Sequence, residues 1–433
     1  MKIDMDNNFI DSNISWLGKI PKKWEVKKIG WFFHAEKGKK ASLLTKEYCG
    51  QNIGDYPVYS GQTQDNGVMA CIDDYEFNFS NIKVLFSTTV GAKAMHLSTL
   101  SGKFSLSQNC MIFYSYSPLI NVDFIYYHLQ PLFTYERGLI PDHMQASFRM
   151  EDLYNYRFCL PTIEEQELIV QFLNKEVKKI DSLINEKQSF INLLKEKRQS
   201  LITHFVTKGL DPNVPMKNSG VEWIGDVPQH WDCLKYKQVF KIKKRIAGKL
   251  GFDVLSITQK GIKVKDIESG GGQLSSDYSK YQIVKKGDFA MNHMDLLTGF
   301  VDLSQYEGVT SPDYRVFELS KPEFEPRFFL YLLQMGYLEK LFYPYGQGAA
   351  HIGRWRLPTD AFKEFFAPCP PPEEQRIIAD AIENAVSRYL QLIDDVTESI
   401  ELLKERRSAL ITAAVTGKID VSQMNTQEYK EVI

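Results

Sequence analysis

Two stretches of this chain return at a fixed distance. Glu164-Glu165-Gln166 recurs as Glu373-Glu374-Gln375, and Leu193-Leu194-Lys195-Glu196-Lys197-Arg198 recurs as Leu402-Leu403-Lys404-Glu405-Arg406-Arg407. The offset is 209 residues at both places, so the run between them has one length in both copies. Each copy reads as a long helix. Pro161 and Pro372 stand at the start, paired acids fill the first turn, and bases gather toward the far end, as the helix dipole favours. Heptad counting places Leu173, Val177, Ile180, Ile184, Ile191, Leu194 and Leu201 on one seam, and Ile382, Val386, Tyr389, Ile393, Val396, Ile400, Leu403 and Leu410 on the other. Such a 3–4 spacing over four heptads predicts a coiled coil, and about 43 residues make a rod of roughly 65 Å. Lys187, Arg198 and Arg407 are the charged residues at seam positions. Two equal helices, each with one stripe to bury, are expected to pack on each other, antiparallel if a two-fold axis relates the copies.

A second repeat precedes each helix. Trp16, Gly18, Pro21 and Trp24 match Trp223, Gly225, Pro228 and Trp231, all 207 residues on. Gly and Pro fix a turn, and the tryptophans are expected to anchor this lead-in to the domain that follows. Between lead-in and helix lie short β-like runs, including Tyr56–Tyr59, Lys83–Phe86 and Cys110–Phe113, then a helix-like run from Val122 to Leu132. Ser107–Phe113 maps on Ser311–Phe317 and Phe124–Gln130 on Phe328–Gln334, at an offset of 204. The intervening loops share little, as expected of two binding modules with different specificities. The predicted fold is mixed α/β (α+β), with two globular domains in tandem repeat, joined by two long helices in an antiparallel coiled coil of pseudo-two-fold symmetry. The expected boundaries are 1–160 and 221–369 for the domains, 161–207 and 370–416 for the helices, 208–220 for a linker and 417–433 for a tail.

Composition narrows the function. A chain of 433 residues with a net charge of −2 has no global basic field, so any nucleic-acid contact must come from local patches. The six cysteines form no CxxC pair, and the polar N-terminus lacks a signal-peptide core, which points to a cytoplasmic protein without metal or disulfides. No phosphate-cradling or amino-methyltransferase motif is visible, and Gly270-Gly271-Gly272 lacks dinucleotide-binding spacing. Pro141-Asp142 and Pro312-Asp313 lack the acidic-x-Lys run of a nuclease.

The remaining signals are polar and basic. Lys37, Lys39 and Lys40 follow the first lead-in, and Lys243, Lys244 and Arg245 follow the second; such groups can neutralise phosphates or stand as a solvated face. Gln62, Gln64 and Asn66 lie in a loop without a counterpart. Gln145 and Arg149 on one side, and Gln347, Arg354 and Arg356 on the other, flank Phe148-Arg149-Met150 and Trp355-Arg356-Leu357, matched at an offset of 207. Amide and guanidinium groups can read adenine and guanine edges, or cap carbonyls beside a packed aromatic. Asn292 and His293 occur in the second domain only.

Taken together, Trp223-Ile224-Gly225 with Pro228 and Trp231, Pro371-Pro372-Glu373-Glu374-Gln375, Leu403-Lys404-Glu405-Arg406-Arg407 and Thr416-Gly417-Lys418 resemble the specificity subunit of type I restriction-modification systems, over essentially the whole chain. The resemblance implies a DNA-binding, non-catalytic subunit. Each target-recognition domain would read half of a split site on double-stranded DNA, and the helices would set the gap and dock two modification (methyltransferase) subunits. S-adenosylmethionine, ATP and Mg²⁺ would belong to the modification and restriction partners, with no cofactor in this chain. The rival reading is a coiled-coil adaptor holding two protein-binding domains.

Overall fold

The structure is a computed structural model describing residues 8–62, 64–141, 143–266, 278–349 and 354–421. The chain divides into two compact units. Residues up to Lys187 and from Glu398 onward form unit 1, and Gln188–Thr397 form unit 2.

Unit 1 begins with a hairpin of β1 (Phe9–Asp11) and β2 (Lys19–Pro21), then β3 (Glu25–Lys28). Its sheet contains β4 (His34–Glu36), β5 (Ile53–Tyr59), β6 (Val68–Ile72), β7 (Phe77–Thr88), β8 (Leu97–Leu106) and β9 (Cys110–Tyr114), in the order β4-β9-β7-β8-β5-β6. The two-residue period of a strand sorts its side chains. Leu85, Met111 and Phe113 join the core that includes Phe124, Ile125 and Leu129, while Val84, Phe86 and Ile112 fill a core with Phe104 on the other face. Between β4 and β5 lies the short α1 (Lys46–Gln51); α2 (Val122–Gly138) and α3 (Met150–Asn155) follow the sheet. The helix expected to stop at Leu132 runs to Gly138 through Pro131, because buried Leu129, Leu132 and Phe133 hold its second half against the core. β10 (Arg157–Leu160) pairs with β3 and leads into α4 (Ile163–Lys208).

Unit 2 repeats this plan. β11 (Met216–Asn218) and β12 (Asp226–Pro228) form the lead-in hairpin, and β13 (Asp232–Lys235) precedes the short α5 (Tyr236–Val239). A four-stranded sheet follows, ordered β14-β21-β18-β19: β14 (Phe240–Lys243), β18 (Phe289–Met291), β19 (Val301–Leu303) and β21 (Arg315–Leu319). Hairpin β15 (Leu255–Thr258) and β16 (Gly261–Val264), and the pair β17 (Gln282–Val284) and β20 (Gly308–Thr310), lie beside it in sequence. Phe289 and Phe317 face the core with α6 (Pro326–Leu338), as Leu85 and Phe113 do at the same 204-residue offset. Hairpin β22 (Gln347–Ala349) and β23 (Arg354–Arg356), α7 (Thr359–Glu364), β24 (Phe366–Cys369) and α8 (Pro372–Val415) complete the unit.

The repeated motifs are joints. Gln166 and Gln375 are fully buried; each carboxamide oxygen accepts the N–H that opens the domain helix (Asn121, 2.8 Å; Glu325, 2.9 Å). Their amide groups donate to the carbonyls of Pro161 and Pro370. In unit 2, Glu374 accepts from the Trp231 indole at 3.0 Å and lies 2.7 Å from His230. In unit 1, Glu165 instead pairs with Lys23 and bonds the Thr162 N–H in a capping box. Gly209 and Gly417 end the long helices in the left-handed region (φ 77° and 70°), lying against Trp231 and against Pro21 and Trp24 respectively. Of the lead-in tryptophans, Trp24 and Trp231 are buried, and Trp16 and Trp223 pack half-buried against the same cores.

All fifteen apolar seam positions are buried or half-buried. Within unit 1, Leu173, Val177, Ile180 and Ile184 share a core with Leu403 and Leu410. Within unit 2, Ile382 and Val386 share one with Ile202 and Val206. Arg407 leaves the seam to bond Asp181 (2.8 Å) and the Gln130 amide oxygen (3.3 Å).

Candidate nucleic-acid interface

In each unit one loop pair meets at the end of two neighbouring strands of the sheet. Residues 89–96 join β7 to β8, and residues 143–149 lead into α3. Phe148 N–H donates to Thr89 O (2.7 Å), Gly91 N–H donates to Ala146 O (3.0 Å), and Val90 bridges Ser147. In unit 2, residues 292–300 join β18 to β19, and Leu357 N–H donates to His293 O while Leu296 N–H donates to Trp355 O, both at 2.9 Å. The same bonds therefore recur, and they correct the sequence match. Phe148 corresponds to Leu357, both buried, and Ala146 corresponds to Trp355, an offset of 209 rather than 207. Arg149 and Arg356 are not equivalents. The aromatic–arginine dipeptides coincide by chance, because the unit 2 loop that follows the domain helix is five residues longer (the offset passes from 204 to 209).

The candidates divide by environment. Arg149 and Gln145 are exposed beside the unit 1 loop pair, and the Arg149 N–H is used by Asp152 (2.8 Å). In unit 2, Gln347 and Arg356 face each other across the β22–β23 hairpin, both exposed. Trp355 lies on Gly346, whose close approach leaves no room for a β-carbon, and donates to Tyr343 O. Asn292 and His293 stand half-buried on the neighbouring loop. His293 is held down to about 3, chiefly by burial and then by the Arg315 and Arg356 charges, so it is neutral at pH 7. Its Nδ1 has no hydrogen-bond partner among the described residues. Beneath lies Arg315, buried against the Phe362 ring (4.4 Å) and bonded to Leu357 O (3.0 Å). Arg315 stitches the two loops' supports together.

Other candidates are engaged internally. Arg245 binds Asp288 (2.6 Å) and Glu318, and Lys243 binds Glu318 (2.5 Å), so this patch is largely neutralised. Lys40 pairs with Asp74 (2.6 Å), which raises its pKa, and the Gln62 amide closes its own turn onto Val68 O. Lys37, Lys39 and Lys244 are exposed, and Asn66 is exposed with φ 55°. The side chains of Gln64 and Arg354, with the triple glycine and Asp142, lie outside the described residues.

Comparison with known proteins points to one family. Residues 21–193 match the type I restriction modification DNA specificity domain. The type I restriction enzyme MjaVIII specificity subunit of Methanocaldococcus jannaschii is 24% identical over 434 residues, covering 94% of this chain and 95% of the relative. Over nearly its whole length the chain is similar to the type I restriction-modification specificity subunits. A putative type I specificity subunit of Mycoplasma pneumoniae, S.MpnORF507P, is 31% identical over 133 residues, 30% of this chain and 34% of its own. A solved chain from work on assembly and conformational transition of a type I R-M system shares the fold, with a TM-score of 0.63 over 92% of this chain and 99% of that one, at 12% identity.

As a specificity subunit the protein is a non-catalytic DNA sequence-recognition component of a complex. Among the described residues no helix is long and apolar enough to cross a membrane, and no cluster of three His, Cys, Asp or Glu can hold a metal ion. Two residues of the loop edge escaped the sequence reading: Lys93, on the 89–96 loop, and Arg137, which reaches from the last turn of α2 to Ala92 O (2.9 Å). The signal was spatial, since 44 residues separate them.

Proposed function

We propose that each globular domain reads one half of a bipartite duplex site through its loop pair. The supporting observation is that both units bring the same two loops together with the same backbone bonds while the side chains differ, Gln145 and Arg149 in one, His293, Gln347 and Arg356 in the other. A neutral imidazole, an amide and a guanidinium offer the donors and acceptors that base edges require. Lys37, Lys39 and Lys244 are proposed as additional backbone contacts. Residues 161–207 and 370–416 serve as an antiparallel spacer that fixes the gap and docks two modification subunits, with restriction subunits joining them, in the cytoplasm. Double-stranded DNA is the ligand; S-adenosylmethionine, ATP and Mg²⁺ act on the partners.

The test is duplex binding by the chain with its modification subunits, over a range of salt. Salt-dependent, sequence-selective binding is expected, relaxed at one half-site by Arg356→Ala by about 1–3 kcal/mol. Absence of selective binding sinks the proposal in favour of a protein-binding adaptor.

A further inference from the structure

Lys93 and Arg137 gather at the loop pair of unit 1, and neither has an acidic partner among the described residues. Three other basic side chains of that unit are matched, Lys40 with Asp74, Lys83 with Asp123 and Lys23 with Glu165. The Ala92 carbonyl that receives Arg137 orients the guanidinium but leaves its charge intact. Residues 89–96 and 143–149 contain no acid. Partial burial first, and then Lys93 and Arg137, depress the pKa of His96, which sits close enough to sense both cations. A chain of net charge −2 thus concentrates unmatched positive charge at the edge already argued to face the duplex.

We infer that Lys93 and Arg137, beside the base-reading Arg149, form a clamp for consecutive backbone phosphates, so that unit 1 supplies most of the salt-dependent affinity for DNA. The inference rests on the DNA reading above. Long cationic side chains on loops suit phosphate oxygens, which accept charge-assisted bonds from many directions. The unit 2 edge is balanced differently: Arg356 shares it with the carboxylate of Asp295, held by the Leu297 and Thr298 N–H groups, and with neutral Asn292, His293 and Gln347. That edge is built for base discrimination more than for charge.

The test uses the full chain assembled with its modification subunits, a labelled duplex carrying the site methylated in cells, and a scrambled duplex of equal length. Affinity is measured against KCl concentration. Each phosphate contact contributes ~0.9 to the slope of log K against log salt. Lys93→Gln with Arg137→Gln should flatten the slope by about 2 on both duplexes and leave the methylated sequence unchanged. Arg137→Lys, which keeps the charge, should retain the slope, and Lys40→Gln, whose charge is already engaged, should leave it unaltered. An unchanged slope in the double variant overturns the clamp while leaving the DNA reading intact. Lost sequence preference at unchanged slope also overturns it, by making these residues base readers. Wild-type complex that binds phosphatidylglycerol vesicles and neither duplex would overturn clamp and DNA reading together.

Discussion

Gln166 and Gln375 each satisfy the first N–H of a domain helix and a carbonyl at the start of a long helix, with no exposed surface. Removing such a side chain strands buried groups that water cannot reach, at about 1–3 kcal/mol each. Gln375→Ala should therefore lower the calorimetric Tm clearly, whereas Glu373→Ala, two residues away and exposed, should change stability by no more than ~0.5 kcal/mol. Equal melting of the two variants would refute the joint. His128 gives a second residue-scale prediction. It is fully buried, accepts the Cys159 N–H at Nε2 (3.2 Å), and burial pushes its pKa down from 6.5 to about 3. The folded state thus holds it neutral while the unfolded chain protonates it below pH 6.5. Its contribution is complete above that pH and falls away toward about 3, at up to ~1.4 kcal/mol per pH unit. Urea unfolding between pH 7 and 4 should show this slope, and His128→Gln should flatten it by about one proton.

At the scale of elements, the long helices were legible because a fixed 209-residue offset and a heptad stripe leave little freedom; Ile163–Lys208 and Pro372–Val415 are each a single helix. The basic patch at Lys243 and Arg245 was legible as charge and misleading as function, since Glu318 and Asp288 meet it from strands far along the chain. The loop edge was half legible: Arg149 and Arg356 were visible, but their register depends on hydrogen bonds to Thr89 and His293 that no sequence spacing encodes. The helices carry their own prediction. Four residues inserted near Lys187 add ~6 Å and return the stripe to nearly the same face, since one turn takes 3.6 residues. Against ~3.4 Å per base pair, the gap in the methylated site should change by about two base pairs with both half-sites retained. Methylome sequencing of cells expressing the complex reads both quantities; altered half-site bases at constant gap would remove the spacer role.

For the whole molecule the decisive question is whether recognition is modular. Each unit has its own apolar core, around Phe113 and Phe124 in unit 1 and around Phe317 and Phe328 in unit 2. Residues 29–158 form a natural block for exchange. Phe158 packs on Phe32 and His128, all inside the block, and the β3–β10 pairing it interrupts is made by backbone groups. The bond from Gln166 reaches a backbone N–H at Asn121, so it does not depend on that side chain. His128 links the block to its surroundings, accepting the Cys159 N–H and meeting Trp16 edge-on (5.1 Å), so a donor domain should carry a ring with an acceptor there. Replacing residues 29–158 with the corresponding domain of another specificity subunit should therefore yield a folded complex that methylates a hybrid site. One half-site should follow the donor, and the other half and the gap should be preserved. A change in both halves would mean that recognition is distributed across the units. No change in either would place the reading outside the loops of residues 89–96 and 143–149.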